Sequence, residues 1–202
     1  LEADFGSEAV VDQPVTYRSS GLAQETGVSG IVYHIMGING ATCASFSTPE
    51  NLHAVAGLDP DLIIVSFGTN EAHGRNYSAE EHRRQLTSFF TELKNRCPHA
   101  AFLLTTPPGA YMRSGRRGKT INTRTPRVVE TEKRFAADNG LALWDLYDIA
   151  GGQERACRNW TAANMFQRDR IHFTQEGYVL QGLLLHEAFI KAYNDYVATK
   201  LD

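Results

Sequence analysis

The feature that most constrains the fold is a short apolar run, Leu62-Ile63-Ile64-Val65-Ser66-Phe67. A run of this length without alternating polar residues is typical of a strand that is buried on both faces of a parallel sheet. Three further apolar runs predict strands at Ile31–Met36, Ala101–Leu104 and Leu141–Trp144. Amphipathic helical patterns separate these runs. The alternation predicts an α/β domain in which helices cover both faces of a mostly parallel sheet.

The predicted helices have recognisable ends. Ser78 and Glu81 have the spacing of a capping box at the start of one helix. Its apolar stripe is Leu86, Phe89, Phe90 and Leu93. Pro126 lies in the first turn of a second helix, and Gly140 follows its end. A last helix is predicted over 175–199. Its packing side is predicted to be Val179, Leu183, Phe189, Ile190, Tyr193 and Val197.

Composition and charge bear on the class of function. The chain has 202 residues, 42% of them hydrophobic and 21% charged, which suits one domain with a sizeable core. A net charge of −3 argues against a nucleic-acid-binding protein, since such a protein needs a basic face. No apolar run approaches the roughly 18 residues of a transmembrane helix. The densest basic stretch, Arg113, Arg116, Arg117 and Lys119, is predicted to be a solvated loop, with a substrate-facing loop as the alternative.

Residues 1–30 differ in character from the rest of the chain. They are rich in Ser, Gly, Glu and Gln and contain one short strand-like piece, Pro14-Val15-Thr16-Tyr17. They are predicted to be a linker or the trailing edge of a preceding or inserted module. Residues 31–202 are predicted to form the main domain.

Two candidate oxyanion donors follow predicted strands, and ligands of open α/β sheets bind beyond the carboxyl ends of the strands. Gly40 can bring its backbone N–H close to a ligand, or it can belong to an ordinary strand-to-helix turn. Asn70 can offer its side-chain NH₂ to a developing oxyanion, or it can cap the next helix. Glu71 either binds substrate or caps the same segment, and both interpretations stay open.

A candidate acid–base pair, Asp169 and His172, precedes the last helix. A spacing of three lets the carboxylate hold the imidazole in one tautomer, so that His172 can act as a general base. The alternatives are a surface ion pair and a metal site. A metal site is disfavoured because no third ligand has a useful spacing and HExxH is absent.

The remaining reactive side chains carry weaker signals. Cys43, Cys97 and Cys157 show no CxxC or zinc spacing, so one disulfide with a leftover thiol and three free thiols both stay open. His73 is close to Asn70 and is predicted to face solvent, with a pocket-lining role as the alternative. Five other histidines have no acidic or nucleophilic companion in the sequence and belong to no catalytic motif. They are His34, His53, His82, His99 and His186.

These motifs together resemble the later blocks of the SGNH (GDSL-type) hydrolases, and most of all the peptidoglycan and carbohydrate O-acetylesterases among them. The segments that carry the resemblance are Gly37-Ile38-Asn39-Gly40-Ala41, Phe67-Gly68-Thr69-Asn70-Glu71-Ala72 and Asp169-Arg170-Ile171-His172-Phe173-Thr174. The resemblance implies a flavodoxin-like, three-layer αβα fold. It also implies that Gly40 and Asn70 are oxyanion donors and that Asp169 and His172 belong to a catalytic triad. Position 71 is Glu where the wider family has Asp, a change that the O-acetylesterase branch shares.

The Gly-Asp-Ser block of the family, which carries the nucleophile, is absent from the sequence. Ser7 lacks the Asp and a preceding apolar strand, and Ser29 lies before a strand instead of after one. In the family, the strand that leads into this serine lies between the strands that end here at Met36 and Phe67. We therefore expect the chain to be the carboxyl-terminal piece of a longer polypeptide, whose amino-terminal fragment supplies the first strand and the nucleophile.

The function expected from the resemblance is removal of O-acetyl groups from a polysaccharide or peptidoglycan, without cofactor or metal, in the periplasm or outside the cell. An acyl esterase or lipase acting on other small esters is the alternative within the enzyme class. A non-catalytic glycan-binding relative that has lost its nucleophile is the alternative outside it. A nucleotide-binding domain is disfavoured because no GxGxxG or P-loop follows a strand.

Overall fold

The computed structural model describes residues 16–20, 31–116 and 118–201. Its strands are β1 (Thr16–Ser20), β2 (Tyr33–Gly37), β3 (Leu62–Ser66), β4 (Ala101–Thr105), β5 (Tyr111–Ser114), β6 (Gly118–Ile121) and β7 (Ala142–Trp144). Its helices are α1 (Cys43–Phe46), α2 (Pro49–Ala56), α3 (Thr69–His73), α4 (Ala79–Arg96), α5 (Thr125–Asp138), α6 (Leu146–Ile149), α7 (Gly152–Ala162) and α8 (Gln175–Leu201).

A parallel sheet of order β3-β4-β7 forms the centre of the domain. Side chains of β3 and β4 alternate between two cores, as expected for strands with apolar residues on both faces. Val65 and Leu104 face a large core built from α1, α2, α4 and α5, whereas Ile64 and Leu103 face α8. The prediction of a three-layer α/β fold is confirmed, because helices pack on both faces of the sheet.

The strand predicted at Ile31–Met36 is observed as β2. Unlike the other predicted strands, which pair parallel with one another, β2 has an antiparallel partner. It pairs antiparallel with β1, from Thr16 opposite Gly37 to Ser20 opposite Tyr33. Among the described residues it is not hydrogen-bonded to β3. Within the described residues β2 therefore belongs to a separate two-stranded antiparallel sheet and not to the parallel sheet.

The predicted helix ends are largely observed. The Ser78 hydroxyl accepts the Glu81 N–H at the start of α4, but the Glu81 carboxylate binds Arg84 and Gln85, so only half of the capping box forms. The stripe of α4 is buried in the large core as predicted. Gly140 follows α5 with a φ of +60°, the left-handed conformation in which helices commonly end.

The basic stretch predicted to be a solvated loop is a β-hairpin instead. Strands β5 and β6 pair antiparallel, with Arg113 opposite Lys119. The side chains of Arg113, Arg116 and Lys119 are exposed, as the prediction of solvation requires. Arg117 lies outside the described residues.

The packing side predicted for α8 is wrong. Leu183 and Tyr193 are 56% and 65% exposed, whereas Leu184, Leu185 and Ala188 face the sheet. Further exposed apolar residues of this helix are Tyr178, Val179, Phe189, Ile190 and Tyr196. Because α8 has apolar residues around most of its circumference, its sequence periodicity does not single out the face that packs. None of the described helices is apolar over a length that could cross a membrane.

Candidate active site

The turns that follow β2 and β3 lie against each other and carry the first two candidate residues. Asn70 lies in α3, shortly after β3. Gly40 lies in the turn between β2 and α1 and has a φ of +72°, a conformation that favours glycine. The side-chain nitrogen of Asn70 donates to the carbonyl oxygen of Ala41 at 2.7 Å. The structure therefore brings the two predicted oxyanion donors together, and a second hydrogen of the Asn70 amide remains for another acceptor.

Glu71 ties these two turns to each other. One of its carboxylate oxygens accepts the Cys43 N–H at 2.6 Å, and the other accepts the Gly68 N–H at 2.8 Å. The side chain is buried, so both bonds are shielded from water. Of the two interpretations left open for Glu71, the structure shows the capping one: the carboxylate caps α3 and also holds the start of α1.

Gly68 is required at its position for two reasons. Its φ of +101° disfavours any residue with a Cβ, and a Cβ placed there would lie 2.7 Å from Glu132 Oε1 and 2.7 Å from Pro107 Cγ. The turn that leads into Asn70 is thus packed directly on the side chain of Glu132.

Beneath this turn lies a buried polar cluster that the sequence pattern does not reveal. Glu132 on α5 is fully buried, and His82 on α4 has its Nε2 3.8 Å from Glu132 Oε1. His82 Nδ1 lies 3.1 Å from the Tyr77 hydroxyl, and that hydroxyl donates to Thr131. Burial, reinforced by the negative charges of Glu71 and Asp145, raises the pKa of Glu132 well above its ordinary value. Burial also lowers the pKa of His82, so both shifts favour the neutral forms of the pair.

The pair predicted from the Asp-x-x-His motif forms. His172 Nδ1 lies 2.6 Å from Asp169 Oδ2, close enough for its N–H to donate to the carboxylate. The other carboxylate oxygen accepts the backbone N–H groups of Ile171 and His172 at 2.8 and 3.0 Å. Desolvation disfavours the charged form of Asp169, but these hydrogen bonds outweigh it and lower the pKa of its carboxyl. Within the described part of the chain, Nε2 of His172 has no hydrogen-bond partner.

A chain of hydrogen bonds connects α3 to the turn that carries Asp169 and His172. His73 is half-buried, contrary to the prediction that it faces solvent, and its ring nitrogens lie 2.7 Å from Thr69 O and 3.0 Å from Tyr111 O. The Tyr111 N–H in turn donates to the carbonyl oxygen of Arg170 at 3.1 Å. Tyr111 therefore links the segment that carries Asn70 to the segment that carries His172. No sequence motif marks Tyr111 for this position.

A second bond anchors the same hairpin to α3. Asn122, directly after β6, is fully buried and donates its side-chain NH₂ to the carbonyl oxygen of Ala72 at 3.0 Å. The start of β5 and the end of β6 are therefore both hydrogen-bonded to α3. A buried Asn that follows a Gly-rich, basic segment gives no distinctive sequence signal.

The three cysteines do not provide a nucleophile. Cys43, Cys97 and Cys157 are buried and unpaired, so of the two possibilities left open the structure shows free thiols. Burial raises the pKa of Cys43 to about 12 and the pKa of Cys157 to about 11, which leaves little of the reactive thiolate. The two serines considered as nucleophiles, Ser7 and Ser29, lie outside the described residues. No group of three or more His, Cys, Asp or Glu side chains in the described ranges is placed to hold a metal ion.

Comparison with known proteins assigns the family. The sequence profile of the GDSL-like lipase/acylhydrolase family matches residues 3–180. The chain belongs to this family. No curated protein is similar enough in sequence to this GDSL-like chain to match.

Solved structures show the same fold. A peptidoglycan O-acetylesterase has a TM-score of 0.71 and 24% identity, and the match covers 79% of this chain but 46% of the esterase. The chain thus spans less than half the length of that relative. A GDSL-like lipase from Bacteroides thetaiotaomicron has a TM-score of 0.58 and 23% identity, and the match covers 77% of this chain and 74% of the lipase. An acetyl xylan esterase has a TM-score of 0.58 and 18% identity, and the match covers 75% of this chain and 78% of the esterase. At these identities the similarity establishes the SGNH hydrolase fold of this GDSL-like chain.

Proposed function

We propose that this GDSL-like chain provides the base, its orienting carboxylate and the oxyanion donors of a serine esterase that removes O-acetyl groups from a carbohydrate, either peptidoglycan or another polysaccharide. The observation that carries the proposal is the 2.6 Å contact between His172 Nδ1 and Asp169 Oδ2, with Nε2 on the other side of the exposed ring. An imidazole held by a carboxylate in this way presents Nε2 as the proton acceptor of a nucleophile.

The proposed reaction follows from these positions. A serine hydroxyl beside His172 attacks the acetyl carbonyl carbon while Nε2 takes the hydroxyl proton. The Gly40 N–H and the free amide hydrogen of Asn70 donate to the carbonyl oxygen as it becomes negative. Nε2 then returns its proton to the departing sugar oxygen. Water releases acetate by the same steps and restores the serine. Asp169 stays ionised throughout, which stabilises the imidazolium that forms.

The nucleophile is proposed to be a serine in a Gly-Asp-Ser block outside residues 31–202. Support for an acetyl ester as substrate comes from two structural relatives, one a peptidoglycan O-acetylesterase and the other an acetyl xylan esterase. We also propose that the protein acts outside the cytoplasm, because peptidoglycan and the other acetylated polysaccharides considered as substrates are located there. Short acyl esters of other alcohols are the second candidate substrate within the family.

Labelling with a fluorophosphonate reagent, followed by mass mapping of the labelled peptide, identifies the nucleophile. The expected product is a modified serine in a Gly-Asp-Ser peptide that co-purifies with the chain or is continuous with it. A label on Ser7 or Ser29 would reassign the nucleophile. If no serine is labelled and no ester is hydrolysed, the non-catalytic glycan-binding alternative replaces the esterase.

Substitutions test the roles of the other residues. In the protein together with its Gly-Asp-Ser polypeptide, His172→Ala and Asp169→Asn are each expected to lower kcat for acetyl ester hydrolysis by roughly 10³-fold or more. Asn70→Ala is expected to cost about 10²- to 10³-fold. The matched control is Asn76→Ala at an exposed position, which is expected to hydrolyse at the wild-type rate. A His172→Ala variant with a near-wild-type rate would refute the assignment. Comparison of acetyl with longer acyl esters separates the two candidate substrates.

A further inference from the structure

Positive charge is strongly segregated in this acidic chain. Between Ala110 and Val129 there are six basic residues and no acidic one, although the net charge of the chain is −3. Four of the six fall within residues 113–119. Charges of mixed sign are sufficient for solvation, whereas a field of one sign attracts ligands of the opposite charge.

The β5–β6 hairpin lies against the turn that carries the candidate base. The Tyr111 N–H donates to the carbonyl oxygen of Arg170 at 3.1 Å, and the Arg170 guanidinium lies 5.1 Å from the centre of the Tyr111 ring. On the other strand, Lys119 Nζ donates to the carbonyl oxygen of Arg168. Both contacts reach residues that flank Asp169. The hairpin therefore adjoins the turn that carries Asp169 and His172, and Arg113 lies opposite Lys119 on the same hairpin.

The exposed cations of the hairpin and of the adjoining turn are Arg113, Arg116, Lys119, Arg168 and Arg170, and we call them the basic rim. Within the ranges that the structure describes, none of the five pairs with a carboxylate. Cations that do form such pairs elsewhere are Arg83, Arg84, Arg96, Lys133, Arg134, Arg158 and Lys191. Asp169, which lies between Arg168 and Arg170, has its carboxylate bound to His172. In the described part of the chain, no carboxylate therefore neutralises the charge of the rim.

We propose that the basic rim binds the carboxylate groups of an anionic polysaccharide, so that the acetylated substrate is an acidic glycan. The proposal rests on the proposed esterase function, because that function places a glycan at His172. A four-residue strand extends about 13 Å, so the hairpin can contact sugars on either side of the one that reacts. The arginine guanidinium suits carboxylates because its parallel N–H groups bind both oxygens.

Binding of polygalacturonate, a carboxylate-bearing glycan without acetyl esters, tests the rim without requiring catalysis. The wild-type protein is expected to bind it, to lose affinity as salt is raised, and to bind neutral dextran far more weakly. The double substitution Arg113→Ala with Arg116→Ala is expected to weaken binding about tenfold, as removal of two exposed charge contacts implies. The double substitution Arg113→Lys with Arg116→Lys keeps the charge but loses the two-point contact of the guanidinium, so its affinity is expected to lie between those of the wild type and the alanine variant. Thermal unfolding of each variant reports whether the fold is kept.

A matched control removes the same charge elsewhere. Arg84→Ala with Arg134→Ala changes two exposed arginines on α4 and α5 and is expected to leave polygalacturonate binding unchanged. Equal loss in this control, unchanged affinity in the Arg113 and Arg116 variant, or equal binding of dextran would overturn the proposal. So would tighter binding of single-stranded DNA than of polygalacturonate. Hydrolysis of p-nitrophenyl acetate is measured in parallel on the wild-type protein together with the polypeptide that carries the proposed Gly-Asp-Ser serine. Its absence counts against the esterase function, whereas the binding results decide the rim.

Discussion

Glu71 connects the two residues on which oxyanion stabilisation is proposed to depend. Its two carboxylate oxygens accept the N–H groups of Gly68 and of Cys43 at the start of α1, while Asn70 binds the carbonyl oxygen of Ala41. Three hydrogen bonds thus fix the spacing of the Gly40 and Asn70 donors. Misplacement of such donors by a fraction of an ångström weakens their bond to a developing oxyanion.

Glu71→Gln tests this connection. One oxygen becomes an NH₂ group that cannot accept, so the N–H of Cys43 or of Gly68 loses its acceptor. We expect a loss of about 1–3 kcal/mol in the free energy of unfolding and a lower kcat with little change in KM. Amide exchange measured by NMR should be faster at Cys43 and Gly68. The control is Glu50→Gln at an exposed position of α2, and slow exchange at both amides in Glu71→Gln would contradict the assigned role.

At the scale of elements, α8 shows how the sequence can predict the extent of a helix but not its orientation. Its pattern predicts a helix over 175–199, and the helix is observed as Gln175–Leu201. The amphipathic helix α4, in contrast, buries the predicted stripe, because polar residues on its other face leave only one way to pack. A helix without such polar residues takes its orientation from the sheet that it covers.

A pair of neighbouring leucines in α8 tests its orientation. Leu184 packs against the sheet beside Leu103, whereas Leu183 is 56% exposed. Leu184→Ala is expected to cost roughly 1–3 kcal/mol in the free energy of unfolding, below the value for a fully enclosed leucine. Leu183→Ala is expected to cost less than about 0.5 kcal/mol. Urea unfolding of the two variants measures the difference, and a larger loss in Leu183→Ala would restore the orientation predicted from the sequence.

The candidate site can be predicted from sequence only where a residue type has a fixed relation to its neighbours along the chain. Asp169 and His172 are three residues apart, so a single turn determines their contact. Glu132 and His82 lie on different helices, and only the packing of α4 against α5 brings them together. Tyr111 meets α3 through a backbone carbonyl, which any residue type can supply. Contacts between separate helices, and contacts through a backbone carbonyl, produce no characteristic spacing in the sequence.

At the scale of the whole molecule, the buried cluster makes stability depend on pH. Burial raises the pKa of Glu132 well above 4.5, so the folded chain keeps a proton that the unfolded chain releases. Between these two pKa values the folded state binds more protons, and the free energy of unfolding falls as pH rises. The lowered pKa of His82 acts in the opposite direction, because the unfolded chain takes up a proton as pH falls below 6.5.

Glu132→Gln isolates the contribution of this carboxyl. The variant has no proton to lose, so its free energy of unfolding should fall less steeply with rising pH than that of the wild type. The difference should grow by up to about 1.4 kcal/mol per pH unit over the range in which only the unfolded wild type is ionised. Urea unfolding from about pH 6 to pH 8.5 measures it. Glu130→Gln on the same helix, with a side chain 56% exposed, is the control and should follow the wild type. Identical slopes for all three proteins would contradict a neutral Glu132.

The conformation of Gly68 also bears on how this sequence can vary over generations. Glycines such as Gly37 and Gly182 have open space around the position of a Cβ and an ordinary φ, so drift can replace them one at a time. At Gly68 a replacement meets an unfavourable φ, Glu132 and Pro107 at once. No single compensating change relieves all three, so replacement of Gly68 requires simultaneous changes in the turn and in its packing partners.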